Sequence, residues 1–300
     1  MLKVTQLLVA LGFATISYAQ DTKDIFKTAT AEADSADKQK TELVFATFKG
    51  TRLMNGHTVE TIKKGLLDFR ISHRFGLVNK GGYEFFGLDN ATERLGLDYG
   101  LSNRLNIGIG RSTYLKQMDG FIKYKLVQQA TGKKAVPVTI TLLAAIIRRT
   151  LHNTNPLKPL TANDKTSYAL QAIIARKFND KTSVEITPSL VHFNTVPLAT
   201  DANDRFSLGF GMRHKVSKRI SLNAEYYAQF QKFDGYYNSL ALGVDIETGG
   251  HVFQLHFTNS TGMTEPTFIH QTEGRWNKGD IHFGFNISRI FNLNKRKAKK

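Results

Sequence analysis

Phe206-Ser207-Leu208-Gly209-Phe210-Gly211-Met212-Arg213, a tight turn at Ser217-Lys218, and then Ile220-Ser221-Leu222-Asn223-Ala224-Glu225-Tyr226 decide the fold. Successive side chains of a strand face opposite sides, so Phe206, Leu208, Phe210 and Met212 share one face while Ser207, Gly209, Gly211 and Arg213 share the other. The second run repeats the pattern, with Ile220, Leu222, Ala224, Tyr226 and Phe230 opposed to Ser221, Asn223, Glu225 and Gln229. A serine in the turn suits hairpin geometry. The unit is therefore a pair of antiparallel strands, apolar on one side and polar or small on the other.

The same alternation runs from Leu66 almost to the end of the chain. Leu67, Phe69, Ile71 and Phe75 oppose Asp68, Arg70, Ser72 and Arg74, and Ile281, Phe283, Phe285 and Ile287 oppose His282, Gly284, Asn286 and Ser288. The spacing predicts twelve strands, near residues 66–76, 92–101, 104–114, 118–128, 135–148, 166–178, 182–193, 204–216, 219–231, 237–248, 251–259 and 279–291. Val136 to Ile147 is apolar on both faces, which periodicity alone does not separate from a buried helix; its neighbours make it a strand. Connections alternate between tight turns such as Ser102-Asn103, Asn179-Asp180 and Ser217-Lys218 and longer loops such as 77–91, 153–165 and 260–278. Outer-membrane barrels have this arrangement, with short periplasmic turns and longer outer loops. The expected fold is all-β, an antiparallel up-and-down transmembrane β-barrel of about twelve strands. Aromatic residues near strand ends (Tyr99, Tyr114, Phe178, Phe193, Phe206, Phe230, Phe283 and Phe291) stand where interfacial girdles would be.

Composition agrees. The 300 residues carry 41% apolar and 22% charged side chains, with 24 glycines, 21 phenylalanines and no cysteine. No stretch approaches the roughly 18 apolar residues of a spanning helix, and the missing cysteines exclude disulfides, thiolate metal sites and N-terminal lipidation. Met1-Leu2-Lys3, the apolar run Val4 to Ile16 and Ser17-Tyr18-Ala19 read as a secretory signal cleaved before Gln20. The expected organisation is a signal peptide over 1–19, a periplasmic or lumen-inserted segment over 20–64, the barrel over 65–292 and a basic tail over 293–300, located in the bacterial outer membrane. Within the second segment, the β-like stretch Leu43 to Leu53 falls outside the strand parity and would lie below the barrel, enter it as a plug or belong to an additional strand pair, and the role of residues 43–60 is left open.

The formal net charge of +16 does not indicate nucleic acid, which would need a clustered basic patch. The one dense cluster, Lys295, Arg296, Lys297, Lys299 and Lys300, reads as a solvated end, with docking to anionic lipid as its other use. The polar face of the barrel would line its lumen, and there it carries Asp68, Arg70, Arg74, Asp98, Lys123, Lys125, Glu185, Arg213, Glu225 and Asp245. Charges of both signs either close an interior or line a wet channel. Glycines on the same face, including Gly96, Gly100, Gly209, Gly211 and Gly243, would leave space for a narrow pore or ligand pocket.

No catalytic set is found. His73, His192 and His214 lie on the apolar phase without an identifiable serine partner, and His251, His256, His270 and His282 lack metal-motif spacing. Gly108-Ile109-Gly110 lacks the third glycine and the following helix of a dinucleotide site. No cofactor is expected.

Thr47-Phe48-Lys49-Gly50-Thr51-Arg52-Leu53-Met54-Asn55-Gly56-His57-Thr58-Val59-Glu60, followed by Leu67-Asp68-Phe69-Arg70-Ile71-Ser72-His73-Arg74-Phe75-Gly76, resembles the family known as domain of unknown function 5777. The hairpin Leu97 to Gly108 resembles it too. That resemblance implies a secreted outer-membrane barrel and brings no catalytic residues. The expected role is a passive channel or small-solute transporter, not an enzyme, in contact with outer-membrane lipid and passing small solutes, anions by preference given the basic excess. The alternative is a closed barrel serving as a structural or surface-binding interaction protein. Oligomeric state is left open.

Overall fold

Period-two patterning becomes a single closed sheet in the computed structural model, which describes residues 40–153, 159–248 and 251–293. The signal sequence and the basic tail lie outside the described residues. The strands are β1 (Leu66–Leu77), β2 (Ala91–Gly100), β3 (Leu105–Ser112), β4 (Gln117–Val127), β5 (Thr139–Arg149) and β6 (Thr166–Lys177). They continue as β7 (Thr182–Phe193), β8 (Asp204–Lys215), β9 (Ile220–Gln229), β10 (Ser239–Thr248), β11 (His251–Thr258) and β12 (His282–Asn292). Each pairs antiparallel with the next, and β12 closes on β1 from His282 opposite Leu77 to Asn292 opposite Leu66. Closure leaves no edge strand to template aggregation.

Exposure is the inverse of a soluble protein's. Ile109, Leu170, Phe206 and Leu222 are 64%, 54%, 50% and 48% exposed, while Arg74, Arg94 and Lys123 are at most 2% exposed. An apolar outer wall of this extent in water would be a large sticky patch; a bilayer covers it. Phe178, Phe206, Phe230 and Phe291 face outward as a girdle requires. Phe193 does not: its ring is buried in the bore, 5.3 Å from Phe233. The doubly apolar stretch of β5 has the same explanation. Leu142 and Ile146 face lipid, whereas Leu143, Ala145 and Ile147 point inward onto an apolar cluster with Phe193, Phe268 and Ile269.

That cluster exists because the bore is filled by chain from both ends. From the short-turn end, Glu42–Leu43 pairs with Ala130–Thr131 in the β4–β5 turn, and the chain then enters the barrel. Residues 50–58 double back as a finger: Arg52 bridges His57, the Leu53 N–H donates to the Gly56 carbonyl at 2.9 Å, and Thr58 N–H donates to Thr51 at 3.0 Å. The chain returns to the short-turn end, where Asn106 holds both the N–H and the carbonyl of Ile62, and β1 begins. From the long-loop end, the β11–β12 connection turns inward, burying Met263 to His270 with a helical turn at Pro266–His270.

Candidate functional site

All ten polar residues expected in the lumen are buried and lie on inward-facing strand positions: Asp68, Arg70, Arg74, Asp98, Lys123, Lys125, Glu185, Arg213, Glu225 and Asp245 are each at most 8% exposed. The finger brings most of them together. At its tip, the Glu225 carboxylate of β9 accepts from the N–H groups of Met54, Asn55 and Gly56 at 3.0–3.3 Å. An anion facing three successive amides forms a strong, directional hold. Arg74 of β1 donates to the Asn55 side chain at 2.9 Å and to Asn286 at 3.2 Å, and Asn286 of β12 donates to the Met54 carbonyl at 2.9 Å. Gln254 of β11 donates to Leu53 O at 2.6 Å and to Asp245 at 3.0 Å.

Lower down, Arg70 spans Thr51 at 2.9 Å and Asp68 at 3.0 Å, Lys123 reaches the Thr51 carbonyl at 3.3 Å, and Arg213 reaches that of Thr47 at 3.2 Å. Lys49 forms an ion pair with Glu247 near the mouth. Asp98 and Lys125 face the same interior, and Glu185 accepts a backbone hydrogen bond from Val59 at the base of the finger.

The inward glycines do leave space, and wall side chains and the finger share it: Arg94 lies against Gly96 and Tyr227 against Gly209. A Cβ at Gly211 would meet Leu53 at 2.9 Å, one at Gly243 would meet Met54 at 2.9 Å, and one at Gly56 would collide with the Tyr227 hydroxyl at 2.1 Å. The expectation that these glycines open a pore is thereby corrected for the conformation described: they fit the wall to a plug.

Finger and inward loop meet at Glu265, whose Oε1 lies 3.6 Å from both Arg52 Nη1 and His57 Nε2. Neither separation is a hydrogen bond and only that of Arg52 is an ion pair, and Arg52 Nε, both His57 ring nitrogens and Glu265 Oε1 have no hydrogen-bond partner. Burial, reinforced by Arg52 and Lys123, holds His57 well below its ordinary pKa; burial raises that of Glu265 against the opposing pull of Arg52. Thr264 donates to Gln117 at 2.8 Å, and His270 lies 3.2 Å from Gln229, so the loop is also tied to the wall.

Arg52, His57, Arg94, Asp119, Gln254, Glu265 and Asn286 complete the interior and were not among the expected residues. Inward parity extended from Lys123 would have reached Asp119, which binds Arg94 at 2.9 Å. Nothing in the periodicity marks Arg52, His57 or Glu265. Buried cations (Arg52, Arg70, Arg74, Arg94, Lys123, Lys125, Arg205 and Arg213) are balanced among the described residues by Asp68, Asp98, Asp119, Glu185, Asp201, Glu225, Asp245 and Glu265. The basic excess lies elsewhere, so the ground for an anion preference is removed.

The outward histidines contact Glu93, Asp204 and Thr182: His73 Nε2 at 3.7 Å, His192 at 2.8 Å and His214 at 3.0 Å respectively. His256 and His270 are buried inside, His282 lies 3.0 Å from Thr261, and no group of three or more His, Asp or Glu among the described residues could hold a metal ion.

A closed antiparallel barrel with an apolar exterior and a charged interior is an integral outer-membrane protein. Residues 48–291 match the family described as membrane bound beta barrel domain, domain of unknown function 5777, and the chain belongs to that family. No curated protein is significantly similar in sequence. Among solved structures, the chain is similar to the NanC porin, with 10% identity, 75% of this chain and 98% of that one covered, and a TM-score of 0.47. It is also similar to the KdgM porin (9%, 75% and 99%, 0.44) and to the COG4313 outer membrane channel from Pseudomonas putida F1 (12%, 78% and 98%, 0.47).

Proposed function

We propose that the barrel passes small solutes across the outer membrane and that the finger and the inward loop are its two gates. One observation carries this reading: much of the polar bore is filled by two chain segments, residues 50–58 and 262–270, that are not part of the wall. A barrel of about eight strands fills itself with side chains, whereas wider ones enclose a space. The filling is held by hydrogen bonds and ion pairs, which water can replace when a segment withdraws, and by apolar contacts of Leu53, Met54, Phe268 and Ile269, which oppose withdrawal. Because the interior charges balance, the proposal is made for small solutes without a sign preference.

The test is single-channel recording in planar bilayers, using full-length protein whose gel mobility shifts on boiling. The wild type should open rarely. Glu225→Ala leaves three buried N–H donors unpaired, at a cost of roughly 2–3 kcal/mol, and should raise the open probability at least about tenfold. Silence from folded Glu225→Ala protein would overturn the channel reading.

A second reading, a closed barrel whose outer loops bind another surface, is favoured by the apolar cluster beneath the inward loop, where Phe193, Phe233, Phe268 and Ile269 pack at most 2% exposed.

A further inference from the structure

Among the described residues the surplus of positive charge is segregated to one end of the barrel. At the short-turn end, Arg104 sits in the β2–β3 turn, and Lys133 and Lys134 in the β4–β5 turn. Lys181 follows in the β6–β7 turn, and Lys218 and Arg219 in the β8–β9 turn. All six side chains are exposed. Lys63 and Lys64 continue the series where the chain enters β1. The described acidic residues at this end are few, and two are taken: Asp180 by Lys177 at 3.2 Å, and Glu247 by Lys49.

The long-loop end differs. There Arg205 pairs with Asp201 at 2.8 Å and Arg275 with Asp280 at 3.5 Å, and seven further carboxylates, Glu84, Glu93 and Asp234 among them, stand against eight further cations among the described residues. Interior charges balance as well, so among the described residues the surplus of cations lies mainly at the short-turn rim.

We infer that this rim docks onto the anionic phospholipid headgroups of the leaflet that surrounds it. Three observations favour lipid over a soluble acidic protein. The cations follow successive turns around the circumference, as a leaflet does, instead of forming one patch. Next, Arg176 and Arg289 project from outward strand positions close to this end, so they address the membrane sideways. Finally, these two guanidiniums pack on the rings of Phe178 and Phe291, with 5.2 and 5.1 Å to the centroids. Arginine beside an interfacial aromatic keeps its stem in apolar surroundings and its charge among headgroups. Juxtamembrane cations attract anionic lipid within about a Debye length, ~10 Å at 0.1 M salt and ~3 Å at 1 M.

Electron spin resonance of spin-labelled lipids tests this with the folded, full-length chain in phosphatidylethanolamine–phosphatidylglycerol vesicles. The measurement is the relative association of labelled phosphatidylglycerol over labelled phosphatidylcholine with the protein's lipid shell. At low salt the ratio should be about threefold or more, falling towards one in 1 M NaCl. A variant carrying Lys133→Gln, Lys134→Gln, Lys181→Gln, Lys218→Gln and Arg219→Gln should lose at least about half of that preference. Lys80→Gln with Lys116→Gln and Lys278→Gln, at the other end, should leave it unchanged.

A ratio near one for the wild type overturns the inference, as does a preference that survives the five-site variant or vanishes only when residues 294–300 are removed. Saturable binding of a soluble acidic protein by a wild type with no lipid preference would overturn it in favour of that other partner. The salt dependence of the wild type decides the matter even if the five-site variant folds poorly.

Discussion

His57 is a fully buried imidazole whose two ring nitrogens lack hydrogen bonds and whose nearest charges are mostly positive: Arg52, Lys123, Arg94 and Arg70, with Glu265 at 3.6 Å as the counterweight. With the finger inserted, its pKa lies well below the ordinary 6.5; withdrawn into water, it returns to 6.5. Above 6.5 both states are neutral and His57 contributes no pH dependence. As pH falls through 6.5 the withdrawn state takes up a proton that the inserted state refuses, so acid favours withdrawal. Glu265 acts in the opposite sense, since its raised pKa makes the inward loop less stable as pH rises above the ordinary 4.5. Limited proteolysis of residues 45–60 in the folded protein should accelerate between pH 7.5 and 5.5, and His57→Gln should remove most of that slope. An unchanged slope in the variant would assign the effect to other groups. In the sequence this residue stands within the run that resembles the family, but nothing there distinguishes it from the other eight histidines as a buried group. A position surrounded on every side has no facing pattern to reveal it.

At the scale of elements, the wall and its filling differ in how they are written. Each strand has a lipid side and a bore side, so β1 to β12 follow from alternation, and inward charges such as Arg74 and Glu225 follow with them. Finger residues 50–58 contact β1, β4, β9, β11 and β12 at once. Their polar and apolar side chains therefore show no period, and the sequence left the segment's place open among three alternatives. The inward β11–β12 loop was hidden in the same way, since length alone marks a loop without telling which way it folds. Glycines at 211 and 243 were legible as space but not as space already matched to Leu53 and Met54. If the finger moves as a unit, fastening its stalk should stop it. With no native cysteine to interfere, Lys49→Cys with Glu247→Cys can be bridged by a short bis-maleimide. Bridging should suppress the openings that Glu225→Ala produces, while either cysteine alone should not. Currents that persist after complete bridging would place the conducting path elsewhere.

For the whole molecule, the closed sheet divides two environments, and the cost of a substitution depends on which one it faces. Leu170 is 54% exposed toward lipid and pairs with Ala144 and Leu190 of the neighbouring strands. Leu170→Arg should destabilise the barrel by roughly 2–4 kcal/mol, measured by urea unfolding in lipid vesicles, because the charge has no counterpart in hydrocarbon. A change below about 0.5 kcal/mol would mean that the site lies at an interface. Strand number was legible from parity, as most connections alternate in length with the next; the β3–β4 connection, four residues long, is the exception that alternation of faces had to carry. The distribution of charge was not: a net sum carries no position, and only the folded arrangement separates a balanced bore from a basic rim.

The finger also has a bearing on how the chain completes itself. Its residues are made before the first strand, yet three of its anchors, Glu225, Gln254 and Asn286, come from β9, β11 and β12. Asn286 and Arg74, which bond to one another across the junction of last strand and first, both grasp the tip at Met54 and Asn55. The segment that fills the bore is thus also a buckle fastened over the one seam joining the two ends of the sheet. Assembly and gating then draw on the same few contacts, and a sequence that loosened the finger for easier opening would also delay the moment at which the cylinder locks shut.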